Sequence, residues 1–111
     1  MVAGRVICKL KNMIDIFSIS TNELVTKMRS GNISSVEVCK AYLERIKKYE
    51  KDVKAWSFLD KKILLEKAEE ADEYRKSGKP IGPLHGLPIG IKDIIATYDM
   101  PTECGSVLRK G

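Results

Sequence analysis

Apolar residues recur at helical spacing in three stretches of the chain, and each stretch begins with a residue that can cap a helix. In the first stretch, Ser20 and Glu23 have the spacing of a capping box, and Gly31 is a natural C-terminal stop. The pattern predicts a helix over residues 20–30. Its apolar face consists of Leu24, Val25 and Met28.

A second helix is predicted over residues 34–50. Ser34 and Glu37 repeat the capping-box spacing, and Ile33 and Val38 are placed as a hydrophobic staple across the helix start. The apolar positions at helical spacing are Val36, Cys39, Tyr42, Leu43, Ile46 and Tyr49.

Asp60 can cap a third helix, which the turn residues Ser77–Pro80 end. Between Asp60 and Lys79 the chain holds six acids and six bases, which indicates a solvated outer face. The apolar face consists of Ile63, Leu64, Ala68, Ala71 and Tyr74.

The apolar pattern changes to alternation after the third helix. Apolar residues at positions 87, 89 and 91 alternate with Pro88, Gly90 and Lys92, which predicts a strand over residues 87–93. The short mixed run 53–59 predicts a further strand. Helices combined with strands in this way indicate an α/β fold.

Lys92 is the charged residue of the predicted strand at 87–93. The alternation places it opposite the isoleucines, on the face where Gly90 leaves space above the backbone. A lysine buried among apolar residues is costly unless it has a partner or a chemical role. Lysine is also the cation that burial deprotonates most readily, which suits it to base chemistry. The plain alternative is a surface lysine on an edge strand, which composition alone favours.

Residues 82–93 read Gly-Pro-Leu-His-Gly-Leu-Pro-Ile-Gly-Ile-Lys-Asp, and the runs 99–103 and 105–106 follow. Together they resemble the amidase signature family, and the resemblance extends from about Ile19 to Ser106. It implies that residues 13–111 are the incomplete N-terminal part of an amidase domain, preceded by an unpatterned extension over residues 1–12. The implied architecture is the N-terminal portion of a mixed-sheet α/β/α fold, with about three helices and a few strands.

The same resemblance implies that Lys92 is the catalytic lysine of a Ser–cis-Ser–Lys triad. The family's two serines lie in a Gly/Ser-rich segment well downstream, and these 111 residues contain no such segment. We therefore expect an N-terminal fragment of a serine hydrolase that is inactive alone. The implied reaction cleaves a small-molecule carboxamide to a carboxylate and ammonia, with no cofactor and no metal.

Two other functions stay open. The A subunit of a tRNA-dependent amidotransferase, which passes the released ammonia to a misacylated tRNA, belongs to the same family. The runs 53–56 and 94–97 look more like those of stand-alone amidases. The alternative from a different class is a non-catalytic helical module that binds a partner, and a stable, monodisperse fold of this chain alone would favour it.

Other polar residues near the predicted strand have plainer interpretations. His85 is the only histidine, and we expect its ring to hydrogen-bond the backbone, because the family's triad contains no histidine. We expect a structural hydrogen-bonding role for Asp93. A Cys104–His85 hydrolase pair has no other support, and Ser106 lacks the Gly-rich surround that would build an oxyanion hole.

The formal net charge of +5 does not indicate nucleic-acid binding. The chain has 20 basic and 15 acidic residues, so the five outermost basic residues account for the whole excess. These five are Arg5, Lys9, Lys11, Arg109 and Lys110. Because the charges between Met13 and Leu108 balance, and the aromatic residues are scattered, there is no basic stripe or stacking platform.

The remaining features predict a cytoplasmic protein without a membrane segment. No apolar run approaches the roughly 18 residues of a membrane-spanning helix. The cysteines, Cys8, Cys39 and Cys104, show no metal-ligand spacing and are predicted to be structural thiols in a reducing compartment. Since the strand at 87–93 would have an unpaired apolar edge, we also expect the chain alone to self-associate.

Overall fold

The computed structural model describes residues 15–111, which form three α-helices and one short 3-10 helix. The elements are α1 (Thr21–Arg29), α2 (Ser35–Val53), α3 (Lys61–Lys76) and the 3-10 turn Val107–Arg109. All three predicted helices are therefore confirmed. The extension predicted over residues 1–12, including Cys8, lies outside the described residues. None of the helices within residues 15–111 has both the length and the apolar composition needed to cross a membrane.

Side-chain caps define the starts of α2 and α3, as the sequence predicts. At α2 the capping box is complete: Glu37 N donates to Ser34 Oγ over 3.1 Å, and Ser34 N donates to the Glu37 carboxylate over 2.8 Å. At α3 the Asp60 carboxylate accepts from the backbone N–H groups of Lys62 and Ile63. These bonds satisfy donors that have no partner inside the helix, so they determine where each helix begins.

Only half of the capping box predicted at α1 forms. Ser20 Oγ accepts from Glu23 N over 3.2 Å, but the Glu23 carboxylate lies 3.5 Å from Lys27 Nζ, one turn along the helix. An exposed pair at this spacing stabilises a helix by only about 0.2–0.5 kcal/mol. The start of α1 therefore depends mainly on the Ser20 cap.

The core lies where α1, the first turns of α2 and the Gly/Pro-rich segment of residues 82–88 meet. Four buried side chains form it: Leu24, Met28, Ile33 and Val38. Partly buried Ile16, Ile19, Tyr42 and Leu87 pack around them. Because Leu87 belongs to the Gly/Pro-rich segment, that segment is attached to the helices through apolar contact. On its other side α2 packs against α3.

The predicted apolar faces of α2 and α3 extend too far toward their C-termini. The rings of Tyr49 and Tyr74 are exposed rather than buried. Each ring instead lies near cations: Arg45 and Lys48 are 5.6 and 5.0 Å from the Tyr49 ring centre, and Lys79 Nζ is 5.7 Å from the Tyr74 ring centre. An aromatic ring near a cation can stay at the surface without a core to enter.

The two predicted strands do not form within residues 15–111. Val53 is the last residue of α2, and Lys54 ends the helix in the left-handed region with φ of 51°, so the run 53–59 begins as a helix end. Residues 87–93 are irregular, and Ile89 is 69% exposed. A strand needs a neighbouring strand for its backbone groups and a partner surface for its apolar face. The described part of the chain provides neither, so it is helical rather than α/β.

Candidate functional site

Lys92 lies in the irregular segment that follows the Gly/Pro-rich loop. Its carbonyl oxygen accepts from Ile95 N over 3.0 Å, which closes a turn immediately after it. The Lys92 side chain is exposed, so the prediction of a lysine on a buried strand is wrong for this structure. The reason is that no segment within residues 15–111 buries Lys92; the Trp56 ring approaches only the backbone at Gly90.

A cleft of about 650 Å³ separates α2 and α3 from residues 86–101, and Lys92 lines it. Small-molecule sites have volumes of about 300–1,000 Å³. The cleft walls are mainly apolar and include Ile46, Trp56, Phe58, Ile63, Ile89 and Ile91. Several of these side chains are exposed, so Lys92 borders an apolar surface that a ligand or another protein segment can cover.

The space that the sequence predicts above Gly90 is occupied by the Trp56 indole. A Cβ atom added to Gly90 would lie 3.3 Å from Trp56 Cη2, which is a tight contact. Glycine thus lets the indole approach the backbone two residues before Lys92. The ring forms one wall of the cleft at this point.

Asp93 connects the segment that carries Lys92 to the following loop. Its Oδ1 accepts from Glu103 N over 2.8 Å, and its carbonyl oxygen accepts from Cys104 N over 3.0 Å. The expectation of a structural hydrogen-bonding role for Asp93 is therefore confirmed.

His85 is held against α3 by its ring. The Nε2–H group donates to the carbonyl oxygen of Ala71 over 2.7 Å, and the ring lies beside Tyr74 with a centroid separation of 5.5 Å. The expectation that this histidine hydrogen-bonds the backbone is confirmed. With Nε2 engaged, and with Cys104 Sγ 3.6 Å from an Arg109 guanidinium nitrogen, the cysteine-hydrolase alternative gains no support.

Two residues that no sequence motif indicated, Asp72 and Ser35, link α3 to the start of α2 and α2 to the loop at Gly86. The buried Asp72 carboxylate accepts from the backbone N–H groups of Ser35 and Val36 at the start of α2. The Ser35 hydroxyl donates to the carbonyl oxygen of Gly86. A signal was present in the sequence, since Asp72 is four residues after Ala68 on the predicted apolar face of the third helix.

The two cysteines within the described residues differ in their surroundings. Burial raises the pKa of the Cys39 thiol; a hydrogen bond with Ser35 lowers it, and the nearby Asp72 charge raises it further. Cys104 is exposed, with φ of 54°. Within residues 15–111, no three His, Cys, Asp or Glu side chains converge to form a metal-binding cluster.

We expect a maleimide to modify Cys104 at least about tenfold faster than Cys39 in the folded protein, because the thiolate is the reactive form and burial holds Cys39 as the thiol. Peptide mass spectrometry after short labelling times measures the two sites separately. Labelling in denaturant is the control, where the two rates should converge. Equal rates under native conditions would contradict the burial of Cys39.

Comparisons with known proteins identify the family to which the sequence around Lys92 is similar. A sequence model of the amidase family matches residues 37–111. Over 99 residues the chain is 36% identical to the A subunit of the glutamyl-tRNA(Gln) amidotransferase from Streptomyces coelicolor, covering 89% of this chain and 20% of that protein. Over 94 residues it is 43% identical to the corresponding protein from Leptospira interrogans serovar Lai, which has the same name, covering 85% and 19%. No solved structure matches the chain.

The chain spans about a fifth of the length of the curated relatives it matches. The family model, in contrast, covers well over half of the chain itself, and the matched stretch includes Lys92 and the whole of residues 82–93. The resemblance found in the sequence is thereby confirmed, and the chain belongs to the amidase family, the family of the amidase signature.

Proposed function

We propose that this chain is the N-terminal part of an amidase-signature hydrolase that cleaves a carboxamide to a carboxylate and ammonia. Lys92 serves as the base of its Ser–cis-Ser–Lys triad. One observation carries the proposal: Lys92 stands within the family-matched block, with its side chain exposed on the cleft, where a segment from the rest of a longer protein can reach it. The two serines and the oxyanion hole belong to that remainder.

In the proposed mechanism the neutral Lys92 amine accepts a proton from the cis-serine, which in turn takes the proton of the nucleophilic serine. The serine oxygen attacks the amide carbon, and backbone N–H groups of the Gly-rich segment hold the oxyanion. The C–N bond then breaks, the nitrogen takes up a proton and leaves as ammonia, and water hydrolyses the acyl-enzyme. Lys92 can act as a base only after losing its own proton, which burial under the remainder of the protein favours.

We propose the α/β fold for the complete domain. In it, residues 87–93 and the part of the run 53–59 that follows the end of α2 pair with strands supplied by the remainder. The exposed apolar side chains of Trp56, Ile89 and Ile91 support this arrangement, because a sheet partner would cover them.

Within the family, we propose the A subunit of an amidotransferase rather than a stand-alone amidase. The shared name of the two relatives supports this choice, since their similarity covers 89% and 85% of the chain. The runs 53–56 and 94–97 favour the stand-alone enzyme, but they are only eight positions. The ammonia acceptor is then a misacylated glutamyl-tRNA. Because the charges of residues 13–108 balance, we expect that tRNA to be bound elsewhere in the assembly.

We expect a protein of the relatives' length that begins with this sequence to release ammonia from glutamine. When its partner subunits and glutamyl-tRNA are added, we expect the glutamyl group on the tRNA to be converted to its amide. A tRNA already charged with glutamine is the matched control, because it offers no carboxylate to amidate. The amino acid attached to the tRNA is identified after the reaction, and the released ammonia is measured by a coupled assay. Turnover of simple carboxamides without any transfer to tRNA would identify a stand-alone amidase instead.

A further inference from the structure

Among residues 15–111, Asp72 is the one charged residue whose side chain is buried. Asp72 is only 7% exposed, and both of its carboxylate oxygens accept a hydrogen bond. Oδ1 accepts from Ser35 N over 2.8 Å, and Oδ2 accepts from Val36 N over 3.1 Å. A buried carboxylate is costly unless it is hydrogen-bonded, and bonds from backbone N–H groups at a helix start compensate it well. Asp72 therefore joins α3 firmly to the first turn of α2.

These two bonds fix the backbone of Ser35, which is 3% exposed. The Ser35 hydroxyl donates to the Gly86 carbonyl oxygen. Gly86 has φ of 76°, and an added Cβ there would lie 3.3 Å from the Ser35 side chain, so glycine permits this close approach. Next to it, His85 is bonded to Ala71 of α3. Two consecutive loop residues are thus held by two different helices.

Five residues lie between Gly86 and Lys92, and the first of them, Leu87, packs on the core. The position of Gly86 therefore determines where the chain enters the segment that carries the lysine. We propose that Asp72 and Ser35 are positioning residues for Lys92: Asp72 orients Ser35, and Ser35 holds Gly86. This role rests on the proposed function of Lys92, but the hydrogen-bonded connection itself can be measured separately.

The test compares Ser35→Ala with Ser34→Ala in the protein of the relatives' length. Both serines stand at the start of α2, but Ser34 only caps the helix, whereas Ser35 contacts the loop. For Ser35→Ala we expect hydrogen exchange in residues 84–92 to become about tenfold faster. We also expect kcat for ammonia release to fall about tenfold with KM within about twofold, because a misplaced base lowers the rate rather than substrate affinity. Ser34→Ala should speed exchange only at the start of α2.

Asp72→Asn is the second variant, because it keeps the shape of the side chain while one oxygen becomes an amide donor. It should produce the same combination of faster exchange at 84–92 and lower kcat. The proposal is overturned if both variants keep kcat within about twofold of Ser34→Ala, or if exchange at 84–92 is unchanged. The separate variant Lys92→Ala tests the proposed function: if it stayed active, that function would fail, whereas an inactive Lys92→Ala with an unaffected Ser35→Ala would overturn the positioning role alone.

Discussion

Replacing Lys92 with alanine in a protein of the relatives' length should lower kcat for ammonia release by about 10²–10⁴-fold, the usual loss when a general base is removed. The fold should be preserved, because the Lys92 side chain is exposed and contributes little to the packing of residues 15–111. Ammonia release and circular dichroism measured on the same samples check both statements. A variant that kept most of its kcat would contradict the triad assignment.

Two controls make this result specific. Lys62→Ala removes another exposed lysine, one that lies 3.7 Å from Glu66 on α3 and outside the cleft, and it should leave kcat unchanged. His85→Ala should cost less than about tenfold, since His85 is bonded to the Ala71 carbonyl and we assign it no proton transfer. The 111-residue chain assayed by itself should release no ammonia above the buffer blank, because the proposed mechanism needs two serines in a Gly/Ser-rich segment that these 111 residues do not contain.

The 111-residue chain alone should associate in a concentration-dependent way and melt with weak cooperativity, while keeping helical circular dichroism. Its helices have side-chain caps, but Ile89 and Ile91, which form part of the apolar wall of the cleft, are 69% and 39% exposed. Burying an isoleucine side chain stabilises by about 1.5–3 kcal/mol, which makes association through such a surface favourable. Sedimentation velocity over a range of concentrations measures the effect.

Charges placed on that surface should suppress the association. We expect the double variant Ile89→Lys, Ile91→Lys to require about tenfold or higher concentration before it associates. The matched control is Val107→Lys, Leu108→Lys, which changes two exposed apolar residues in the 3-10 turn, outside the cleft lining. A sharp two-state melt from a clean monomer of the original chain would instead favour the independent helical module.

The helices could be predicted because their determinants are local. A cap such as Ser34 with Glu37 acts over three residues, and the positive φ of Gly31 and Gly78 after α1 and α3 needs no distant partner. The family could also be identified locally, from the contiguous block at 82–93. The observed end of α2 lies three residues beyond the predicted one, because no strong stop follows Glu50 and Lys54 closes the helix in a conformation unusual for lysine.

By itself the sequence therefore determined the three helices, their starts and the family, through bonds and motifs that span only a few residues. Only the tertiary structure decided which distant groups meet. Asp72 and Ser35 are 37 positions apart, and Trp56 comes to lie over Gly90; no local pattern encodes either contact. The prediction of a strand at 87–93 is wrong for the same reason. A strand is stable only when another segment pairs with it, and residues 15–111 contain no such segment.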